Sequence, residues 1–473
     1  MTHAHTTGLA VLGGGPGGYT AAFRAADLGH EVCLIEEGPQ LGGVCLNVGC
    51  IPSKTLLHAA EVIEEARAAE TFGLRFGPTQ IDIAALRGHT ERVIGQLRTG
   101  LDTLCRARKV TRLTGRGVFT GPDTLEVRGA DGITRVRFTD AILATGSSPV
   151  RLPGCPDDPR IWDSTAALAL GSVPARLLIV GGGVIGLEMA QVYGALGSAI
   201  TVVEMQDQLI PPADRDLVQP LFLALKKKYR LCTSTRVAAL TATPAGIEVQ
   251  LAGATETCEL FDAVLVAIGR RPNSRGLDLV ALGLVPDAHG FLAVNERQQT
   301  AAAHIYAVGD LVGEPMLAHK ASHQGRVAAE VIAGLPTAFL PLAIPAVAYT
   351  RPEVAWVGLT EREAAARGLR VDKGKFPWGA NGRALTAGLA GGVTKALFDS
   401  ESGRLVGAGI CGAQAGELIH EALIALEMGA NAEDIGRSVH AHPTLAETFA
   451  CAAQMVTGTI TDVLPPRRRA PKP

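Results

Sequence analysis

Aromatic side chains are scarce in this 473-residue chain, at 4%, and neither sign of charge is in excess: Lys and Arg total 44, Asp and Glu 46. Nucleic-acid binding usually shows a basic excess, so no nucleic-acid partner is expected. Long apolar runs are missing too. The most apolar late stretch, Ala338 to Tyr349, is broken by Pro341 and Pro345. It falls short of the roughly 20 residues that a spanning helix needs, so no membrane partner is expected. Met1 to Thr7 is short and polar, and a first strand is expected from about Gly8. That leaves no room for the apolar core of a secretory signal. A cytoplasmic protein is the expectation. There is no C-x-x-C pair, so a zinc site has no obvious ligands, and no metal is expected. Nine cysteines, an odd number, do not make a secreted disulfide scaffold. In a reducing compartment, a pair that does form a disulfide is more suited to catalysis than to structure.

Glycine is abundant, at 56 residues. Its placement carries the first positive signal. The apolar run Gly8 to Leu12 enters Gly13-Gly14-Gly15-Pro16-Gly17-Gly18, which fits G-x-G-x-x-G at Gly13, Gly15 and Gly18. A helix pattern follows, then a strand, Glu31 to Ile35, ending at Glu36. Such a unit holds a dinucleotide: the glycines let a pyrophosphate reach the helix N-terminus, and the acid accepts from a ribose hydroxyl.

The pattern then recurs. Leu177 to Val180 leads into Gly181, Gly183 and Gly186, and the strand Ala199 to Val203 ends at Glu204. Gly13 to Glu36 and Gly181 to Glu204 both span 23 positions. This internal repeat implies two Rossmann-like domains, and so two dinucleotides. At this length roughly two to four domains are expected. A helix is expected from about Thr55 to Phe72, and another from about Ile83 to Arg108. Short strands fill 110 to 138. Asp310 closes a strand, Ile305 to Val308, and can reach a polyol chain. From about Ala346 to Leu464 an α+β unit is expected, with helices near Gly416 to Met428, Ala432 to Ser438 and Leu445 to Val456. The basic, proline-rich end, 465 to 473, reads as a disordered tail.

Two constellations carry chemistry. Cys45 and Cys50 lie five apart among glycines, and Lys54 follows. They are either two buried free thiols or a redox pair at a helix start, where the dipole and Lys54 favour a thiolate. Residues five apart do not face each other on a regular helix, so the turn must be distorted for the sulfurs to meet. The second is His440-Ala441-His442-Pro443-Thr444-Leu445-Ala446-Glu447. Pro443 sits where a helix can begin, and Glu447 lies about one turn inside it. A His–carboxylate pair can take a proton from a thiol and return it. Spacing alone does not choose between His440 and His442.

Gly42 to Lys54, Ile268 to Asn273, Ala307 to Asp310, Met316 to Ala321 and His440 to Glu447 resemble the dihydrolipoamide dehydrogenases. These are the flavoprotein (E3) subunits of 2-oxo acid dehydrogenase complexes, within the pyridine nucleotide-disulfide oxidoreductases. The resemblance runs from about Gly8 to Asp462 and is nearest to bacterial members. It implies an α/β fold with FAD and NAD domains, a central segment and a C-terminal α+β dimerisation domain. The boundaries expected are 1–149, 150–271, 272–345 and 346–464. No lipoyl domain is expected before the flavin domain.

The resemblance implies FAD on the first glycine turn, with Glu36 on the adenosine ribose and Asp310 on the ribityl chain, and NAD on the second. It adds Gly117, Thr145, Gly146, Gly269 and Ala318 to the cofactor-binding set. Cys50 becomes the thiolate facing the flavin, Cys45 the sulfur that exchanges with substrate, and Lys54 and Glu188 an ion pair near the flavin. His442, oriented by Glu447, becomes the base and acts on the Cys45–Cys50 pair of the other subunit. The implied reaction is oxidation of protein-bound dihydrolipoamide with reduction of NAD⁺. The implied partners are a lipoylated acyltransferase (E2) and a second copy of the chain. Glu204 favours NAD, since a carboxylate there repels a 2′-phosphate and Met205 to Ile210 contain no arginine. The alternatives are an NADPH-dependent disulfide reductase of the glutathione reductase type and a non-enzymatic lipoyl-binding component.

Overall fold

The computed structural model describes residues 2–464, so the tail expected at 465–473 lies outside them. The first unit is a seven-stranded sheet. Its parallel part runs in the order Thr111–Thr114, Val32–Glu36, Thr2–Leu12, Gly132–Leu143, and Ile305–Ala307 adds to the last of these. An antiparallel pair, Thr124–Gly129 and Arg116–Gly121, completes it. The central strands are apolar along their whole lower half because both faces are covered. Leu9 and Val11 pack on one side with helix Pro16–Asp27 and the distant helix Ala318–Ile332. Ala10 and Leu12 pack on the other with Phe119 and Leu125, as a period of two requires.

The first strand begins at Thr2, not near Gly8. Thr2 to Thr7 pair in register with Ile133 to Phe138. His3, Ala4 and Thr6 are exposed and His5 is half-buried, so no apolar run marks this half of the strand.

The second unit repeats the first. Strand Arg176–Val180, helix Val184–Ala195 and strand Ala199–Val203 form the core of a five-stranded parallel sheet. A three-stranded antiparallel layer, from Arg236 to Phe261, covers one face. The two units are joined by a short antiparallel pair, Arg270–Pro272 on Ser147–Pro149.

The last unit is a five-stranded antiparallel sheet, ordered Ala346–Ala348, Glu353–Gly358, Leu405–Gly412, Val393–Asp399, Val371–Pro377. Helices Ala415–Glu427 and Glu447–Thr457 bury Ile419, Ala422, Phe449 and Ala452 against it. Lys395, only 2% exposed, lies 2.7 Å from Asp214 and 2.8 Å from Asp216, and also bonds Glu361. It pins the second unit to this sheet. Lys373 and Lys375 also pair with Asp216, and Lys373 with Glu361, so three ammonium groups face the three carboxylates. Among the described residues no helix is long and apolar enough to cross a membrane.

Candidate active site

The cysteine stretch folds as two helices, Gly43–Val48 and Cys50–Ala68, broken at Gly49. The second helix therefore starts about five residues before the expected Thr55, and its tail, Ala69–Phe72, tightens to 3₁₀. The break is the distortion that a five-residue spacing demands. It depends on glycine: a Cβ at Gly49 would lie 2.7 Å from the Val44 carbonyl oxygen and 3.1 Å from Cys45 Cα. Gly49→Ala is expected to cost about 1–3 kcal/mol through overpacking, read as a fall in denaturation midpoint. An unchanged midpoint would show that the break tolerates a side chain.

Both cysteines are thiols here, and they hydrogen-bond to each other. Their acidities part. The hydrogen bond from Cys45, helped by the Lys54 ammonium, lowers Cys50 to about 7 against burial and the Glu188 charge. Cys45, which keeps the shared proton and is itself half-buried, is pushed up. Cys50 is also the first residue of a 19-residue helix, whose dipole favours a thiolate. Lys54 Nζ lies 3.0 Å from the Glu188 carboxylate, which is 4% exposed. The Tyr349 N–H donates to Glu188 at 3.1 Å, and the Tyr349 ring sits 4.5 Å below the Lys54 ammonium. Tyr349 escaped the sequence reading, because nothing in a strand end signals a partner 161 residues away.

One cavity of about 2470 Å³ contains this pair and reaches both glycine turns. From the first unit it is lined by Gly13, Gly15, Glu36, Gly117, Thr145 and Gly146. From the second come Gly181, Gly183, Glu204 and Gly269. Cys45, Cys50, Lys54, Glu188, Asp310 and Ala318 line it as well. Gly18 and Gly186 do not. A Cβ on them would lie 1.7 Å from the Gly13 oxygen and 2.1 Å from the Gly181 oxygen, so they let each helix close on its turn.

The repeat extends to hydrogen bonds. Glu36 accepts from the Gly14 N–H at 2.6 Å and the Gly38 N–H at 2.9 Å. Glu204 accepts from the Gly182 and Gln206 N–H groups, both at 2.7 Å. Each carboxylate is thus fixed by its own turn and keeps lone pairs for a ribose. Asp310 accepts from Ser147 Oγ at 2.5 Å, and Arg270 Nε donates to that hydroxyl at 2.7 Å. Ser147 was not foreseen. Nor was Arg236, which lines the same cavity from the strand beside Glu204; a search of Met205 to Ile210 could not find it.

His442 and Glu447 form a pair, with Nδ1 2.9 Å from Glu447 Oε1. The other Glu447 oxygen accepts from the Thr444 N–H at 2.7 Å. Burial opposes ionisation of Glu447, but the Thr444 N–H and His442 hold it below the usual range. The helix opens at Glu447, not at Pro443. Glu447 closes the preceding turn with its carboxylate, so residues 443–446 bend tightly instead of winding. His442 is 77% exposed at its side chain, and among the described residues its Nε2 takes no hydrogen bond. Neither His442 nor Glu447 lines the cavity that holds Cys45 and Cys50.

The family model described as pyridine nucleotide-disulphide oxidoreductase matches residues 7–325. The chain belongs to that family. The dimerisation domain of pyridine nucleotide-disulphide oxidoreductases matches residues 344–453 of the oxidoreductase, which supports a homodimer. The oxidoreductase is 53% identical to a dihydrolipoyl dehydrogenase of Vibrio cholerae, covering 98% of each chain. It is 44% identical to one of Thermus scotoductus, covering 95% of this chain and 97% of that one. The crystal structure of LpdA from Mycobacterium tuberculosis superposes with a TM-score of 0.87 at 28% identity, covering 95% and 99% of the two chains.

The oxidoreductase fits FAD and NAD(H). Gly13 and Gly181 bring backbone so near their neighbouring strands that a Cβ would lie 2.2 and 2.3 Å from a carbonyl oxygen. Gly15 and Gly183 instead face open room, with nothing nearer than 3.7 Å to a Cβ at Gly15 and nothing within 4 Å at Gly183. That space at each helix N-terminus is where a pyrophosphate seats.

Proposed function

We propose that this oxidoreductase is a dihydrolipoyl dehydrogenase, oxidising protein-bound dihydrolipoamide and reducing NAD⁺. One observation carries the reading. A single cavity holds both dinucleotide turns and a dithiol whose helix-start member ionises near neutrality. The relatives' names are consistent with it.

The chain's own groups divide the work. In the oxidised enzyme Cys45 and Cys50 share a disulfide. His442 of the partner subunit removes a proton from one substrate thiol, and the thiolate attacks Cys45 Sγ. The Cys45–Cys50 bond breaks, and Cys50 leaves as a thiolate. The second substrate thiol then attacks the substrate sulfur held on Cys45, closing the lipoamide disulfide, and Cys45 leaves and takes up the proton. Lipoamide departs oxidised, and two electrons remain on the dithiol. FAD, when bound, supplies the two-electron link between that dithiol and NAD⁺. Lys54, paired with Glu188, places a positive charge where the Cys50 thiolate forms. Glu447 holds the Nδ1 side of His442 and leaves Nε2 free to take the proton.

Under this reading, residues 1–149 and 272–345 build the FAD site, 150–271 binds NAD, and 346–464 forms the interface. The partner is a lipoylated acyltransferase of a cytoplasmic 2-oxo acid dehydrogenase complex. The test is dihydrolipoamide-dependent reduction of NAD⁺ by the flavin-loaded dimer. Glu204 faces the ribose end of the second site, so NADP⁺ is expected to be poorer by about 100-fold in kcat/KM. Equal efficiency would remove Glu204 as the discriminator. A flavin-loaded protein inactive with either nucleotide would sink the function itself.

A further inference from the structure

The fold treats the two histidines of His440-Ala441-His442 oppositely. The side chain of His440 is 12% exposed and that of His442 is 77% exposed. His440 Nδ1 lies 2.9 Å from the Ser438 carbonyl oxygen, and Nε2 lies 2.7 Å from Glu421 Oε1. Both partners accept only. A neutral imidazole carries one N–H, so only the imidazolium satisfies both at once. His440 has no free nitrogen with which to act as a base. Glu421 belongs to helix Ala415–Glu427, which is seated on the last sheet through Ile419, Ala422 and Leu426. The ion pair therefore ties the turn that bears His442 to a rigid element. Among the described residues, the His442 side chain has one hydrogen-bond partner, Glu447.

We infer that Glu421 and His440 are positioning residues: the His440 imidazolium, clamped by Glu421, fixes the turn that carries His442 to the disulfide of the partner subunit. This rests on His442 being the base. Both ring nitrogens of His440 are taken, and Glu421 is engaged by one of them, so neither residue is placed to act on the reacting atoms directly. An error of about 1 Å in the placement of a catalytic group can cost roughly 100-fold.

The test compares Glu421→Ala, Glu421→Gln and His442→Gln as full-length, FAD-loaded dimers. Three quantities are read: kcat and KM for dihydrolipoamide with NAD⁺, the pH profile of kcat/KM, and NADH-dependent reduction of ferricyanide, which needs no thiol base. Glu421→Ala is expected to lower kcat by about 10-fold or more, with KM and the ferricyanide rate held within about twofold. Glu421→Gln keeps an oxygen facing Nε2 and is expected to recover part of that loss. If Glu421→Ala does not fold, a selective fall in kcat for Glu421→Gln supports the inference. An unchanged kcat and pH profile in the folded variants overturns it, as does an equal fall in both activities, which marks general damage. Full turnover in His442→Gln instead defeats the base assignment, and the inference with it.

Discussion

Cys45→Ser is expected to abolish dihydrolipoamide turnover, by more than about 10³-fold, while keeping its bound flavin. The serine hydroxyl has nearly the shape of the thiol and can still donate to Cys50, so the local fold and the lowered pKa of Cys50 should persist. What it cannot do is form the sulfur–sulfur bond that substrate must open. Cys45 sits on the short helix Gly43–Val48, before the Gly49 break, and its thiol keeps the shared proton. In the proposed mechanism it is the sulfur left to exchange once Cys50 ionises. Flavin content by absorbance and turnover of dihydrolipoamide decide the matter together. Retained turnover would take Cys45 out of the mechanism; lost flavin would recast it as structural.

His442→Gln is expected to lower turnover by about 10²–10⁴-fold, the usual contribution of a positioned acid–base group. Glutamine can keep a hydrogen bond to Glu447, so the turn should hold its shape. It offers no basic nitrogen at the exposed end. NADH-dependent reduction of ferricyanide should continue at nearly the parent rate, because it bypasses the thiol. A variant that loses both activities would show that His442 supports the fold more than the proton transfer.

Much of this was legible because it is local. The glycine turns and their acids sit at fixed offsets, and the strand Ala199–Val203 and the start of the long helix at Ile83 are found where the apolar pattern puts them. What the pattern hides is whatever depends on distant partners. Strand Val371–Pro377 is half polar because it is an edge, and helix Glu361–Ala366 is a single capped turn; neither has a run long enough to notice. Tyr349, Ser147 and Arg236 meet the site only through tertiary contacts. Gly49 was visible as a glycine among several, but its function as the break between two cysteine-bearing helices emerges only from the close approach of Val44. The separation of His442 from the cysteine cavity is likewise a property of the fold. Within one chain, His442 and Glu447 do not line the cavity that holds Cys45 and Cys50. Under the proposed mechanism the base reaches the disulfide across a dimer, and the matched dimerisation domain supports a homodimer.

That requirement is the central claim, and a hybrid dimer tests it most directly. One chain carries Cys45→Ser and the other His442→Gln, with different affinity tags so that the mixed dimer can be isolated. Each homodimer is inactive with dihydrolipoamide. If each site takes its cysteines from one chain and its base from the other, the hybrid has one intact site and one doubly disabled site. It should recover about half the parent activity per dimer, as two-fold symmetry dictates. A hybrid as inactive as its parents would place base and disulfide in the same chain and contradict the account.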